Sequence, residues 1–401
     1  MLDFSQIFPQ ISAFTTGRFN ALDELNMALS EAARRLRDSD SDWETTQAKI
    51  ARSKTSWLLA RWREAPDSRL AAPPVPARSI ALAADGSQIV ADRHDIALCY
   101  VLNVGLITLH YGTGERAALT SRPILCDVDD DLLEAQEGDV AVIAPRRLGL
   151  RRQMLEIAEL AGLAAQVVAE RVDAPPALAL FDGSLILWTL EGETEAFRRK
   201  TLADFGQSMA LARSHRVPIA GYISAPQSRD VVNALRIFAC PHENPHCERL
   251  CPNHKRPKPD YVAPECAGTE RITDAMLFYN RLNLGERSAV FGSDSKILRE
   301  YADADRTCFF YLRVAEEVAR IEIPAWVADD AELLAQTHAL CLDQALKGDG
   351  YPVALAEAHE QAIIRGPERD AFFQIMARGF VQQNLPFTGT QKSLSKRARR
   401  V

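Results

Sequence analysis

The stretch Ser79-Ile80-Ala81-Leu82-Ala83-Ala84-Asp85-Gly86-Ser87 decides how this chain is read. A short apolar run closed by a turn-forming Asp-Gly reads as a buried strand with an acid at its end. The same order recurs at Ala177-Leu178-Ala179-Leu180-Phe181, which is followed by Asp182-Gly183-Ser184. Asp and Gly are common turn residues, so one such motif need be no more than a strand-ending turn. Two of them, each behind an apolar strand, point to a shared site. Carboxylates held at strand ends are what a divalent cation acting on phosphate esters needs.

Working outward, Ala21–Trp62 is rich in Ala, Leu, Arg and Glu at helical spacing. It predicts one or two amphipathic helices, interrupted near Asp38–Asp42 by an N-cap and anchored by Trp43, Trp57 and Trp62. Ala71–Arg78 is a proline-rich connector. Asp95–Tyr111, with Gly105 at its middle, predicts two strands joined by a short turn. Helical periodicity marks Gly149–Leu163, Glu193–Ser214, Asp274–Leu284, Asp330–Leu346 and Val353–Arg365. Val217–Ser224 reads as a strand, and Thr307–Leu312 with Val318–Ile323 as a hairpin. An early meander followed by alternation predicts an α/β or α+β sheet with helices on its faces.

The chain has 401 residues, 47% hydrophobic and 25% charged, with a formal net charge of −7. These are globular values, and the acidic total argues against a uniformly basic nucleic-acid coat while leaving room for a local basic groove. No apolar stretch reaches membrane-spanning length and no leader pattern opens the chain, so the cytoplasm is the expected compartment and no membrane partner is expected. Basic residues gather at Arg146, Arg147, Arg151 and Arg152, and in a tail carrying Lys392, Lys396, Arg397, Arg399 and Arg400. Either group could meet phosphates.

Further chemistry-bearing residues surround the two Asp-Gly-Ser motifs. Glu156 lies four residues after Arg152 on a predicted helix, which allows a surface ion pair or a place beside the acids; Glu159 is its rival. Tyr351 follows a Gly-rich turn, and His359 comes eight residues later on the next helix. A lone helix histidine can be an exposed or a satisfied core residue, a metal ligand or an acid/base. Cys240, His242, His246, Cys247, Cys251, His254 and Cys266 fall within 27 residues of a Pro-rich segment. None of their spacings is the Cys-x2-Cys of common zinc fingers, yet so dense a set of soft ligands predicts a structural zinc or an iron–sulfur cluster held by Cys240, Cys247, Cys251 and Cys266.

The chain resembles the NurA-type nucleases that work beside HerA-type ATPases in DNA end processing. The resemblance rests on Ala83–Ser87, Leu102–Gly105, Leu180–Ser184, Gly221–Ser224, Gly285–Ser288, Phe309–Leu312, Ala319–Pro324, Gly350–Pro352 and Ala358-His359. It covers about Ile80 to Met376. It implies a ribonuclease-H-like mixed sheet flanked by helices, with an N-terminal helical extension over 1–70. A nuclease domain would span 71–390, with the Cys/His-rich insertion at about 240–266 and a basic tail at 391–401. It further implies a manganese-dependent (or magnesium-dependent) deoxyribonuclease, a 5′-to-3′ exonuclease with single-strand endonuclease activity that acts in double-strand break repair. DNA, a hexameric ATPase and a second copy of the chain are the implied partners. Carried over, Asp85, Glu156, Asp182 and His359 would hold the catalytic cation, and Tyr351 would line the site. Arg151 and Arg152 are the expected DNA-backbone contacts. An actin/hexokinase-like phosphotransferase and a non-catalytic adaptor of the ATPase are the competing readings.

Overall fold

The structure is a computed structural model and describes residues 3–20, 22–90, 99–127, 132–135, 141–169, 173–251 and 264–384. His254 and the basic tail lie outside the described residues. The chain divides into two compact units. One comprises Met1–Ala72, Ile223–Leu298 and Arg306–Glu322; the other comprises Pro73–Tyr222, Arg299–Asp305 and Ile323–Val401.

The second unit is built on strands β1 (Ser79–Val90), β2 (Cys99–Tyr111), β3 (Ala118–Asp127), β4 (Ala177–Asp182) and β5 (Ile219–Ile223), with helices α1 (Pro145–Ala169), α2 (Glu195–Ser214), α3 (Ala331–Lys347) and α4 (Val353–Ala362). Its strands lie in the order β3-β2-β1-β4-β5. β1, β2 and β3 form an antiparallel meander, whereas β4 runs parallel to β1 and β5 parallel to β4. Helix α1 carries the chain from the meander to β4, and α2 from β4 to β5. That is the expected ribonuclease-H-like arrangement: a mixed sheet flanked by helices. Ile80, Leu82, Leu178, Leu180 and Ile219 are buried in the sheet. Continuous apolar runs of this kind are normal for strands covered on both faces.

Two expectations need correction. β1 does not turn at Asp85; it runs on to Val90, and Gly86 pairs with Val104 within the ladder. The 95–111 region does not contain two strands joined at Gly105. Cys99–Tyr111 is one strand, and Gly105 sits opposite Asp85; residues 91–98 lie outside the described residues. Both glycines are there because another element comes close. A Cβ on Gly86 would stand 2.3 Å from Glu156 Oε1, and one on Gly105 would stand 2.4 Å from the Ala358 carbonyl of α4.

The first unit holds helices Leu22–Asp40 and Trp43–Arg52, and the side chain of Asp42 caps the second by accepting from Thr45 N. Ala32, Leu36, Ile50 and Trp62 are buried with Val231, Leu235 and Phe278, while Trp43 and Trp57 pack against that core. Trp62, however, lies in the strand Ala60–Trp62. The predicted hairpin is present as Thr307–Val314 and Glu317–Pro324, and the helix from Asp274 stops at Tyr279. No described helix is long and apolar enough to cross a membrane.

Candidate active site

Asp85, on β1 at the middle of the β3-β2-β1-β4-β5 order, lies where α1, α4 and the end of β4 converge. Its backbone is locked by pairing with Gly105. One carboxylate oxygen accepts from the Gly86 amide at 2.7 Å, and the other lies 2.7 Å from His359 Nδ1. His359 rides on α4, which is clamped to the sheet at its end. Asn103 Nδ2 donates to the Ala362 carbonyl at 2.9 Å, and the Ser87 hydroxyl donates to the same oxygen. The side chain of His359 is 64% exposed and that of Asp85 19%, so the imidazole forms the outer wall of the site.

Asp182 is the last residue of β4; Gly183 follows with φ +136° and turns the chain away. Its carboxyl is raised above the ordinary value by partial desolvation. The Tyr351 hydroxyl, hydrogen-bonded to it, acts the other way; Asp85 raises it further and His359 lowers it. Tyr351 stands edge-on to the ring of Tyr222 at 5.6 Å, which fixes its approach. In the same turn the Ser184 hydroxyl accepts from Ile186 N and Trp188 Nε1.

Glu156 comes from α1 and is buried. Burial pushes its carboxyl up to about 8; Arg152 opposes the shift, and Asp85 and Asp182 add to it. Loss of hydration on burial is the largest cause, because the charged form is the one that burial penalises. Arg152 Nε is 3.1 Å away but off the hydrogen-bonding direction, and Glu156 Oε1 has no hydrogen-bond partner among the described residues. Glu159 instead pairs with Arg122. The i,i+4 pair and the acidic cluster, posed as alternatives by the sequence, are therefore both present.

Asp85, Glu156, Asp182, Tyr351 and His359 are thus brought together, although 274 residues separate the first from the last. A cleft of about 420 Å³ beside them is lined by Arg146, Arg152, Glu156, Asp182 and Trp188. Arg151 points elsewhere, with its guanidinium donating to the Tyr100 hydroxyl at 3.2 Å. Arg147 is held by Glu193. The cysteines and His246 line a cavity in the other unit.

Whether a cation suits this site can be judged from the donors. Three carboxylates and an imidazole supply hard oxygen and one nitrogen, a set that fits Mn²⁺ or Mg²⁺. Asp85 raises the carboxyls of both Asp182 and Glu156, Asp182 raises that of Glu156, and Glu156 Oε1 is buried without a hydrogen-bond partner among the described residues, so added positive charge would suit the cluster. Among the described residues no three such side chains stand close enough to enclose a single ion.

The NurA domain profile matches residues 80–364. The chain belongs to the NurA family. Among solved structures it is similar to the NurA nuclease from Sulfolobus solfataricus, at 11% identity and TM-score 0.49 over 96% of this chain and 98% of that one. It is also similar to a NurA structure with manganese, at 10% identity and TM-score 0.35 over 89% and 97%. A type 1 RNase H, LC9-RNase H1, aligns at 12% identity and TM-score 0.20 over 37% and 63%. No curated protein matches significantly.

For this NurA-family chain, sequence reasoning found the acids but missed what seats them. Gly86, Ser87, Asn103, Gly105 and Tyr222 lie inside the segments that carried the resemblance, yet the two glycines read only as turn residues and no role followed for the other three. The signal was a glycine interrupting an apolar strand, which marks a close backbone approach as often as a turn.

Proposed function

We propose that this NurA-family protein is a divalent-metal-dependent deoxyribonuclease that hydrolyses phosphodiester bonds at the Asp85–Glu156–Asp182–His359 cluster. Family membership supports nuclease activity. The convergence of the three acids, with the buried Glu156 carboxyl pushed up beside the other two and its Oε1 without a hydrogen-bond partner among the described residues, carries the metal reading. Asp85, Glu156 and Asp182 would hold the cation. A divalent cation, or a pair of them, would suit phosphodiester hydrolysis here. When bound, such cations neutralise phosphate charge and make water more acidic.

The chain's own groups do the rest. Asp85 orients the His359 ring through Nδ1, leaving Nε2 to reach a cation or to move a proton at the attacking water. The Tyr351 hydroxyl orients Asp182. Arg152, anchored beside Glu156, presents charge to the DNA backbone without reading sequence. Trp188 and Arg146 line the adjoining cleft, where a neighbouring nucleotide would lie. Manganese is the favoured ion because an imidazole nitrogen joins the oxygens.

The reading extends to the biological setting that the family resemblance implies: 5′-to-3′ end resection with single-strand endonuclease activity, in the cytoplasm, as a homodimer beside a HerA-type hexameric ATPase. Cleavage of end-labelled linear DNA tests it, with Mn²⁺ or chelator, with and without the ATPase. The reading expects cleavage with Mn²⁺, none with chelator, and none from Asp85→Ala or Asp182→Ala. An adaptor would show no cleavage under any condition. ATP binding by the isolated chain would favour a phosphotransferase.

A further inference from the structure

We propose that Cys240, Cys247, Cys251 and Cys266 hold an iron–sulfur cluster in the first unit, a centre distinct in chemistry from the carboxylate site. The four thiols line one cavity of about 500 Å³, together with Trp57 and Arg236. They reach it from three separate pieces of chain. Cys240 follows the helix Asp230–Phe238. Cys247 and Cys251 bracket a single helical turn, with Cys251 N donating to the Cys247 carbonyl at 3.0 Å. That spacing puts both sulfurs on one side of the turn. Cys266 lies beyond, close enough for a charge on it to interact with charges on the other three.

The backbone at Cys240, Cys247 and Cys266 is fastened from outside the cluster. Lys49 Nζ donates to the carbonyls of Phe238 and Cys240. Cys247 N donates to the Lys54 carbonyl at 3.1 Å, and Lys54 N to the Pro245 carbonyl at 2.8 Å. The buried guanidinium of Arg35 donates to the carbonyls of Glu265, Cys266 and Ala267, and Arg236 Nε also donates to that of Cys266. Arg236 lies 3.9 Å over the Trp57 ring, which closes one wall. Backbone held at three of the four cysteines, with all four residues lining one cavity, is a built site. Arg35, Lys49 and Arg236 surround it with positive charge, which suits a cluster that is net negative with four thiolates.

Size chooses between the soft-metal occupants. A tetrahedral zinc with Zn–S of about 2.3 Å draws its sulfurs to about 3.8 Å from one another and leaves no cavity. Here the four thiols line a cavity of about 500 Å³. A cubane cluster carries its thiolates on the outside of an iron–sulfide core, so its ligands stand farther apart around a void. His246 Nδ1, buried without a hydrogen-bond partner among the described residues, lies at the same wall as an additional polar contact.

The test is anaerobic purification of the full chain, followed by iron, acid-labile sulfide and zinc analysis and a visible absorption spectrum. The expected result is about four iron and four sulfide per chain with broad visible absorption. Cys251→Ser should lose most of both, and Cys126→Ser, in the other unit, should lose neither. Zinc without iron, or protein free of both metals, overturns the proposal. So does iron that survives unchanged in Cys251→Ser and Cys240→Ser. Because this readout involves no DNA, it stands or falls separately from the nuclease reading.

Discussion

Glu156 is the residue whose behaviour most sharply distinguishes a cation site from a structural ion pair. Folded, it keeps its proton to about pH 8, against an ordinary value of 4.5. Between those pH values the folded state binds more protons than the unfolded chain, so stability falls as pH rises across that window. At 1.36 kcal/mol per unit, the cost at pH 8 is on the order of 4 kcal/mol. Metal-free Glu156→Gln should therefore be more stable than the parent in urea unfolding at pH 8 and little different near pH 4.5. A cation needs the ionised form, so Mn²⁺ affinity should rise with pH up to about 8. Binding at pH 7 should release close to one proton, which is measurable by calorimetry in buffers of different ionisation enthalpy. Glu156→Gln should release almost none. Gly86 belongs to the same scale. Gly86→Ala forces a methyl onto Glu156 Oε1, so it should abolish cleavage while leaving the circular dichroism spectrum unchanged.

At the scale of elements, the site depends on how α4 sits on β1 and β2. Gly105 admits the helix backbone, and Asn103 and Ser87 tie down its end at the Ala362 carbonyl. Gly105→Ala meets backbone atoms that cannot rotate away. It should cost about 1–3 kcal/mol by overpacking and cut activity by displacing His359. Asn103→Ala should cost about 1 kcal/mol from the lost hydrogen bond, with a smaller loss of activity. Unchanged melting temperature and rate in both variants would refute this seating role.

The same elements show what could be read in advance. Apolar runs and helical periodicity announced β1, β4, α1, α2, α3 and α4, because burial dictates those patterns. The continuation of β1 past Asp85 was not legible, since an Asp-Gly pair has the local chemistry of a turn and only the approach of Glu156 explains the glycine. β3 was passed over because its residues are mostly exposed on both faces, so no alternation marks it. Pro123 sits in it as it can in an edge strand. Asp85, Asp182, Glu156 and His359 were visible as candidates. Their convergence rests on strand pairing and helix docking that no local window contains.

For the whole molecule, residues 1–72 share a unit with 223–298 and 306–322. Leu36, Ile50, Leu59 and Trp62 are buried there, each contributing roughly 1.5–3 kcal/mol. Deleting residues 1–62 should give insoluble protein or a unit without a cooperative melt. A soluble truncation with a sharp transition would show that the segment is dispensable for folding.

The central claim is that acids far apart in sequence form one cation site for DNA hydrolysis. It is tested most directly by titrating Mn²⁺ into the metal-free full chain, followed by electron paramagnetic resonance, with DNA cleavage measured on the same samples. The account predicts that the parent binds Mn²⁺ and cleaves. Folded Asp85→Asn and Asp182→Asn should each lose tight binding and cleavage together. Well-folded variants that bind and cleave as the parent does would contradict it.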